Sequence, residues 1–244
     1  MDSWFYLLTH MLHDYSSETL SLGLFFICTM AILLLFRLFQ APGLFVYNAL
    51  ITVIANVQVL KLAHFGYSPE PVALGTVTFA TAFLVSDILT EHYGKTTAQQ
   101  GVWLSFSAQI LMASLMLITL GHKPVDGDVC HQAMEVLFLP SPRLLIASLT
   151  AFALSQLFDI MVFKRLSQVT HGKMLWLRTN VSTILSALLD NIIFSTIAWV
   201  LLAPTPVSWK SLIYTYILGT YFARVLVSVM STPVIYLSYL CIKK

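Results

Sequence analysis

An all-α, polytopic membrane helical bundle of about seven transmembrane helices is the fold class this sequence predicts, and three observations predict it. Hydrophobic residues make up 58% of the 244 residues. Charged residues make up only 10%, against about a quarter in soluble globular chains. Mean hydropathy is +0.82, and the apolar residues fall in continuous runs. A hydrocarbon core about 30 Å thick takes about 20 residues at 1.5 Å rise each, which these runs supply. Inside hydrocarbon the backbone must satisfy its own hydrogen bonds, so only helices and closed barrels cross it. A barrel would show alternating segments of about ten residues, and these runs are apolar without alternation over longer stretches.

The runs are 19–38, 43–61, 72–90, 100–120, 143–164, 179–202 and 211–240. Pro42, Pro69, Pro71, Pro140, Pro142, Pro204 and Pro206 punctuate the joins, where a helix is expected to start or stop. Before the first run, Trp4, Phe5, Leu8, Met11 and Leu12 recur at spacings of three and four, the pattern of a helix lying on a membrane surface. The first Lys or Arg is Arg37, after the first apolar run. A cleavable signal would need an earlier positive region, so the first span is expected to stay.

Orientation follows from Lys and Arg on alternate sides of a seven-span chain. One side collects Lys61, Lys123, Arg143 and Lys210; the other collects Arg37, Lys95, Lys164, Arg165, Lys173, Arg178, Lys243 and Lys244. The richer side is expected to be cytoplasmic, with the N-terminus outside and the C-terminus inside.

The formal charge of +2 is small and scattered, which excludes a nucleic-acid surface. Cys28, Cys130 and Cys241 have no CxxC spacing, so neither a disulfide framework nor a zinc site is indicated. The longest loop, 121–142, holds Asp126, Asp128, Cys130, His131 and Glu135, whose spacing matches no metal-ligand pattern. No metal and no cofactor is expected.

The sharpest signal is charge within the spans, because each such group costs several kcal/mol and has to face the bundle interior and pair. Asp87 and Glu91 lie at the inner end of the third span, Asp159 in the fifth, Arg178 and Asp190 in the sixth, and Arg224 in the seventh. Asp190 is about 12 residues, roughly 18 Å, beyond Arg178, which places it near the midplane with Arg224. A salt bridge between Asp190 and Arg224 is the expected central pair, serving either the site or the register of two helices. Gln156 and Asp159 share a helix face, as do Asp87 and Glu91. Like charges at that spacing need a cation, for which Arg178 has the right depth.

Amides and hydroxyls extend the polar surface. Asn48, Thr52 and Asn56 repeat every fourth residue, and Thr179, Ser182, Thr183, Ser186 and Asp190 form a stripe at spacings of three and four. Such hydroxyls commonly bond helix to helix. Together with Asn180 these groups are expected to line one cavity walled by Phe79, Phe83, Tyr93, Trp176 and Tyr221. A flat, polar, nearly neutral heterocycle suits that lining, a purine-like solute among other small polar solutes.

Two stretches carry a family resemblance. The run Ser86-Asp87-Ile88-Leu89-Thr90-Glu91-His92-Tyr93-Gly94-Lys95, with Ala98 after it, resembles the acidic signature of the queuosine precursor transporters, also labelled vitamin-uptake-like. Ser155-Gln156-Leu157-Phe158-Asp159 leads through Lys164 to Leu175-Trp176-Leu177-Arg178, then Ser182-Thr183 and Asp190, which is similar to a second family stretch. The resemblance covers about 43–240. It implies import of 7-deazaguanine bases, 7-cyano-7-deazaguanine or its aminomethyl relative, through a bacterial inner membrane for salvage into tRNA queuosine. It also implies a six-helix core, 41–244, similar to the substrate-binding subunits of energy-coupling-factor transporters. Residues 1–40 then form an added surface helix and first span. Ala187 stands where the family's frequent glutamine is expected.

The expected substrate-binding residues are Asn56, Asp87, Glu91, Gln156, Asp159, Arg178, Asn180 and Asp190, with no catalytic residue. No GxxxxGK[ST] occurs, so ATP hydrolysis by that route is not expected. A binding subunit for another small heterocycle, needing a separate coupling module, is the rival reading. A homo-oligomer is also open. An intramembrane enzyme would need HExxH or a serine with a histidine in facing spans, and the sequence has neither pattern.

Overall fold

The structure is a computed structural model that describes residues 4–66, 72–138 and 142–242. Helix α1 (Trp4–Leu12) precedes α2 (Ser17–Phe39), α3 (Ala41–Gln58), a strand pair β1 (Leu62–Ala63) and β2 (Val72–Ala73), α4 (Thr76–Tyr93) and α5 (Lys95–Leu120). Then follow α6 (Val129–Phe138), α7 (Pro142–Val169), α8 (Leu175–Thr196), the three-residue α9 (Trp209–Ser211) and α10 (Gly219–Ser238). Six helices are long and apolar enough to cross a membrane: Ser17–Phe39, Ala41–Gln58, Lys95–Leu120, Leu144–Val169, Leu175–Leu201 and Tyr221–Ser238.

The third predicted run, α4, sits in the middle of the others and packs against α2, α3, α5, α7, α8 and α10. Twelve of its 18 residues are buried, so it meets protein where an outer helix meets lipid. Ala80, Ala82, Thr78, Thr81 and Ser86 keep its surface thin enough for neighbours on every side. A helix enclosed in this way needs no apolar coat, and it is the element that carries Asp87 and Glu91.

Tight turns set the neighbours. Gln40 takes φ 56° between α2 and α3, and its Nε2 donates to the carbonyls of Phe36 at 2.8 Å and Cys241 at 3.0 Å. Three residues on, a Cβ at Gly43 would stand 2.4 Å from the Leu35 carbonyl oxygen, so α2 and α3 touch through backbone there. Gly94 alone separates α4 from α5.

The structure departs from the predicted runs in three places. Residues 72–75 are not helix: Ala63 pairs with Val72 and Leu62 with Ala73, and Gly75, at φ 92°, turns the chain into α4. The loop 121–142 contains α6, whose start is held by Asp128 Oδ1 accepting from the Cys130 and His131 amides. The last run is not one regular helix, because residues Leu212–Leu218 form wide π turns before α10, as do Ile197–Leu201 after α8. Asn191 Nδ2 donates to the Ile217 carbonyl at 3.0 Å, supplying a partner at a backbone group in that π segment. On α1, Trp4, Leu7, Met11 and Leu12 are exposed.

Because the α2–α3 contact leaves no room for a side chain at Gly43, Gly43→Val is expected to destabilise the protein by about 1–3 kcal/mol. A lowered Tm in detergent checks this, and an unchanged one contradicts the contact.

Candidate functional site

On α7, Ser155 and Gln156 lie four and three residues before Asp159, so each neighbours it on the helix surface; all are buried. That face meets Ser86 and Asp87 of α4 and Thr179, Ser182 and Ser186 of α8, also buried. Ser86 Oγ donates to Gln156 Oε1 at 2.5 Å, and Ser182 Oγ to Asp87 Oδ1 at 3.5 Å. The Asp87 and Asp159 carboxyls lie side by side, with Thr179 beside the first and Ser186 beside the second. Much of this cluster's capacity is unused. Asp87 Oδ2, both Asp159 oxygens, Gln156 Nε2 and the Thr179 and Ser186 hydroxyls are buried and complete no well-formed hydrogen bond, although the two carboxyls lie against each other and against these hydroxyls. Such groups cost about 1–3 kcal/mol each, and native interiors rarely concentrate them. Asn48 on α3 is likewise buried with both amide atoms unpartnered.

Towards the middle of the bundle, Arg224 of α10 pairs with Asp190 of α8 at 2.5 Å, so the structure brings the two midplane charges together. Ser155 Oγ donates to the other Asp190 oxygen at 3.0 Å. The guanidinium lies 5.1 Å over the Phe79 ring, a cation–π contact that helps a partly buried arginine. Phe79 in turn meets Phe83 and Phe152 edge to face.

One end of the bundle is closed by a second ion pair. Arg178 donates from both terminal nitrogens to the two Glu91 oxygens, at 2.7 and 3.0 Å. It also reaches Ser167 Oγ at 2.8 Å and the Gly172 carbonyl at 3.2 Å, and lies 5.1 Å over the Phe163 ring. Tyr239 donates to Glu91 Oε1 at 2.5 Å, His92 bonds Ser238 at 2.7 Å, and Arg37 donates to the Leu240 carbonyl at 3.2 Å. The expectation that Arg178 serves Asp87 and Asp159 too is not met, because Glu91 and its neighbours occupy both terminal nitrogens.

Two expected site residues lie apart from the acidic cluster. Asn180 donates to the Trp176 carbonyl at 2.8 Å and to Thr232 at 2.7 Å, and accepts from Ser228 at 3.3 Å. Its position, two residues from both Arg178 and Ser182, is about 200° round the helix from each, which turns it to α10. Asn56, eight residues from Asn48, is about 12 Å along α3; it donates to Gln109 at 2.8 Å and accepts from Ser148 at 2.9 Å. Of the expected aromatic wall, Phe79 lies under Arg224 and Phe83 packs against Phe79. Trp176 is exposed, Tyr93 donates to Gln40 at 3.0 Å, and Tyr221 donates to the Ile184 carbonyl at 3.1 Å.

Sequence reasoning missed Gln109, Ser148, Ser167, Phe152, Phe163 and Tyr239. Gln109 alone gave a readable signal, an amide inside the fourth apolar run; the others are ordinary residues made important by what faces them. Two cavities lie elsewhere. One of about 130 Å³ sits beside His122, Asp128 and His131, and an apolar groove of about 380 Å³ lies along Trp103, Phe106, Ile146 and Leu149. Among the described residues no group of three or more His, Cys, Asp or Glu is placed to hold a metal ion.

Apolar helices wrapped round a layer of acids, amides and paired arginines define a multi-pass membrane protein of the transporter class. Residues 73–238 match the family described as "Putative vitamin uptake transporter", and the chain belongs to that family, as its two signature stretches implied. It is 34% identical over 207 residues to the "Probable queuosine precursor transporter" of Bacillus subtilis (strain 168), covering 84% of this chain and 87% of that one. It is 25% identical over 127 residues to a protein of the same name from Haemophilus influenzae (strain ATCC 51907 / DSM 11121 / KW20 / Rd), 51% of each chain. No solved structure matches it significantly.

Removing one member of the Glu91–Arg178 pair leaves a largely enclosed charge without its counter-ion. Arg178→Ala is expected to destabilise the protein by about 3–5 kcal/mol, and Glu91→Gln combined with Arg178→Met to recover much of that. Melting of the purified variants decides it; equal losses in the single and double variants would refute the pairing argument.

Proposed function

We propose that this chain imports 7-deazaguanine precursors of queuosine, 7-cyano-7-deazaguanine or its aminomethyl relative, across the bacterial inner membrane for tRNA modification salvage. The observation that carries the reading is the unused hydrogen-bonding capacity of one buried cluster, Asp87, Gln156, Asp159, Thr179 and Ser186. The similarity over 84% of the chain to a protein named as a queuosine precursor transporter supports it. Carboxylates accept from ring N–H and exocyclic amine groups, the amide donates to a ring carbonyl, and the nearby phenylalanines offer faces to stack on.

In this reading Asp87, Gln156 and Asp159 bind the base, and Asp190, fixed by Ser155 and Arg224, supports them from α8. Glu91 and Arg178 act as the closure at one end. Asn56, with Gln109 and Ser148, is the counterpart towards the other end, and Asn180 locks α8 to α10. Transport is alternate exposure of the cluster, with one closure opening while the other holds. The chain binds and releases without a chemical step, so it is not an enzyme.

The end that holds Arg37, Glu91 and Arg178 faces the cytoplasm, by the excess of Lys and Arg there. Residues 1–40 are an outer surface helix and added span beside the 41–244 core. Single cysteines at Lys95 and Lys173 are therefore expected to be shielded from an impermeant thiol reagent in intact cells, and one at His122 to react. The reverse pattern would invert the topology.

Proteoliposomes holding the purified chain alone are expected to take up 7-cyano-7-deazaguanine down its gradient without ATP, with Asp159→Asn lowering the uptake rate about tenfold or more, as the loss of a buried charged hydrogen bond would. Binding without uptake would favour a binding subunit that needs a coupling module. Absence of both would remove the substrate.

A further inference from the structure

The donor and acceptor groups on α7 have fixed directions that a bound base must match. Gln156 Oε1 stands 2.5 Å from Ser86 Oγ. That separation belongs to O–H···O bonds, about 2.5–3.0 Å, and is shorter than N–H···O bonds, about 2.7–3.2 Å. The amide is therefore set with its oxygen on Ser86 and its nitrogen turned away, and Nε2 has no partner. One turn along the same face, Asp159 holds two oxygens without partners, and as a carboxylate both accept. Residues three apart on a helix stand about 5–6 Å from Cβ to Cβ, so the two side chains form one short recognition strip. Gln156, Asp159 and Ser86 are all fully buried, so a wrong pairing there finds no water to repair it.

We propose that Gln156 and Asp159 read the 2-amino-6-oxo edge of the base, with Ser86 as the positioning residue that holds Gln156 as a donor. This rests on the deazaguanine reading of the site. The strip presents acceptor, acceptor and donor; the edge presents the complement, an exocyclic amine, a ring N–H and a carbonyl. A 6-amino edge brings a donor to the Gln156 donor and a bare ring nitrogen to an Asp159 acceptor. It therefore fails at two points, and an edge without the 2-amino group leaves an Asp159 oxygen unpaired.

The test is binding to the full chain in lipid nanodiscs of three probes: 7-cyano-7-deazaguanine, the same base with a 6-amino group replacing the 6-oxo group, and the same base lacking the 2-amino group. The wild type is expected to bind both altered bases about tenfold or more weakly, the scale of one unmade buried hydrogen bond. Ser86→Ala frees the Gln156 amide to turn over, so the ratio of 6-oxo to 6-amino binding falls towards one while dependence on the 2-amino group stays. Gln156→Glu shifts the preference to the 6-amino base.

Wild-type binding of 7-cyano-7-deazaguanine with a 6-oxo to 6-amino ratio unmoved by Ser86→Ala overturns the edge assignment alone and leaves the substrate standing. No binding of any probe by folded wild type removes the substrate and the assignment together. If Gln156→Glu does not fold, the Ser86→Ala ratio decides, because that variant loses only a hydroxyl.

Discussion

A carboxyl group enclosed by apolar helices has three fates: it pairs with a cation, it collects hydrogen bonds from fixed neighbours, or it waits for a ligand, because hydrocarbon offers it nothing. The acids inside this bundle are divided among those fates. Glu91 is held by Arg178 and Tyr239, and Asp190 by Arg224 and Ser155. Asp87 and Asp159 have neither a cation nor a full set of hydrogen bonds. The contrast separates groups that hold the helices from groups that have capacity to offer.

Placing α4 at the centre follows from the same constraint. Its acids and hydroxyls would make it a poor lipid-facing helix, so it is stable where six other helices cover it. The cover is also what gives Asp87 neighbours on both α7 and α8. Small residues along α4 let those helices approach, and Ser86, itself one of the small residues, becomes the group that orients Gln156.

The two ends of the bundle are closed by different chemistry. One has a bidentate arginine–carboxylate pair, strong and directional, with Tyr239 and His92 fastening the last turn of α10 beside it. Towards the other end an amide and hydroxyl chain runs from Ser148 through Asn56 to Gln109. Neutral amide bonds are weaker than charge-assisted ones, so the two regions are held by bonds of different strength.

Several features were legible in the sequence because they depend on local properties alone. Run length and apolarity gave the helices, proline and glycine gave most of their joins, and the rarity of charge in hydrocarbon pointed to Asp87, Glu91, Asp159, Arg178, Asp190 and Arg224. Depth along a helix follows from rise per residue, which sets Asp190 and Arg224, paired in the structure, at one level of two spans. Rotation about each helix relative to its neighbours is set by packing and has no local signature. Only the tertiary structure therefore decided that Arg178 meets Glu91 and not Asp87 or Asp159, that Asn180 turns to α10, and that Ser86 fixes the Gln156 amide. The π segment before α10 meets Asn191, 26 residues away, at Ile217, and the strand pair before α4 joins Ala63 to Val72 across a short connection; apolar periodicity encodes neither.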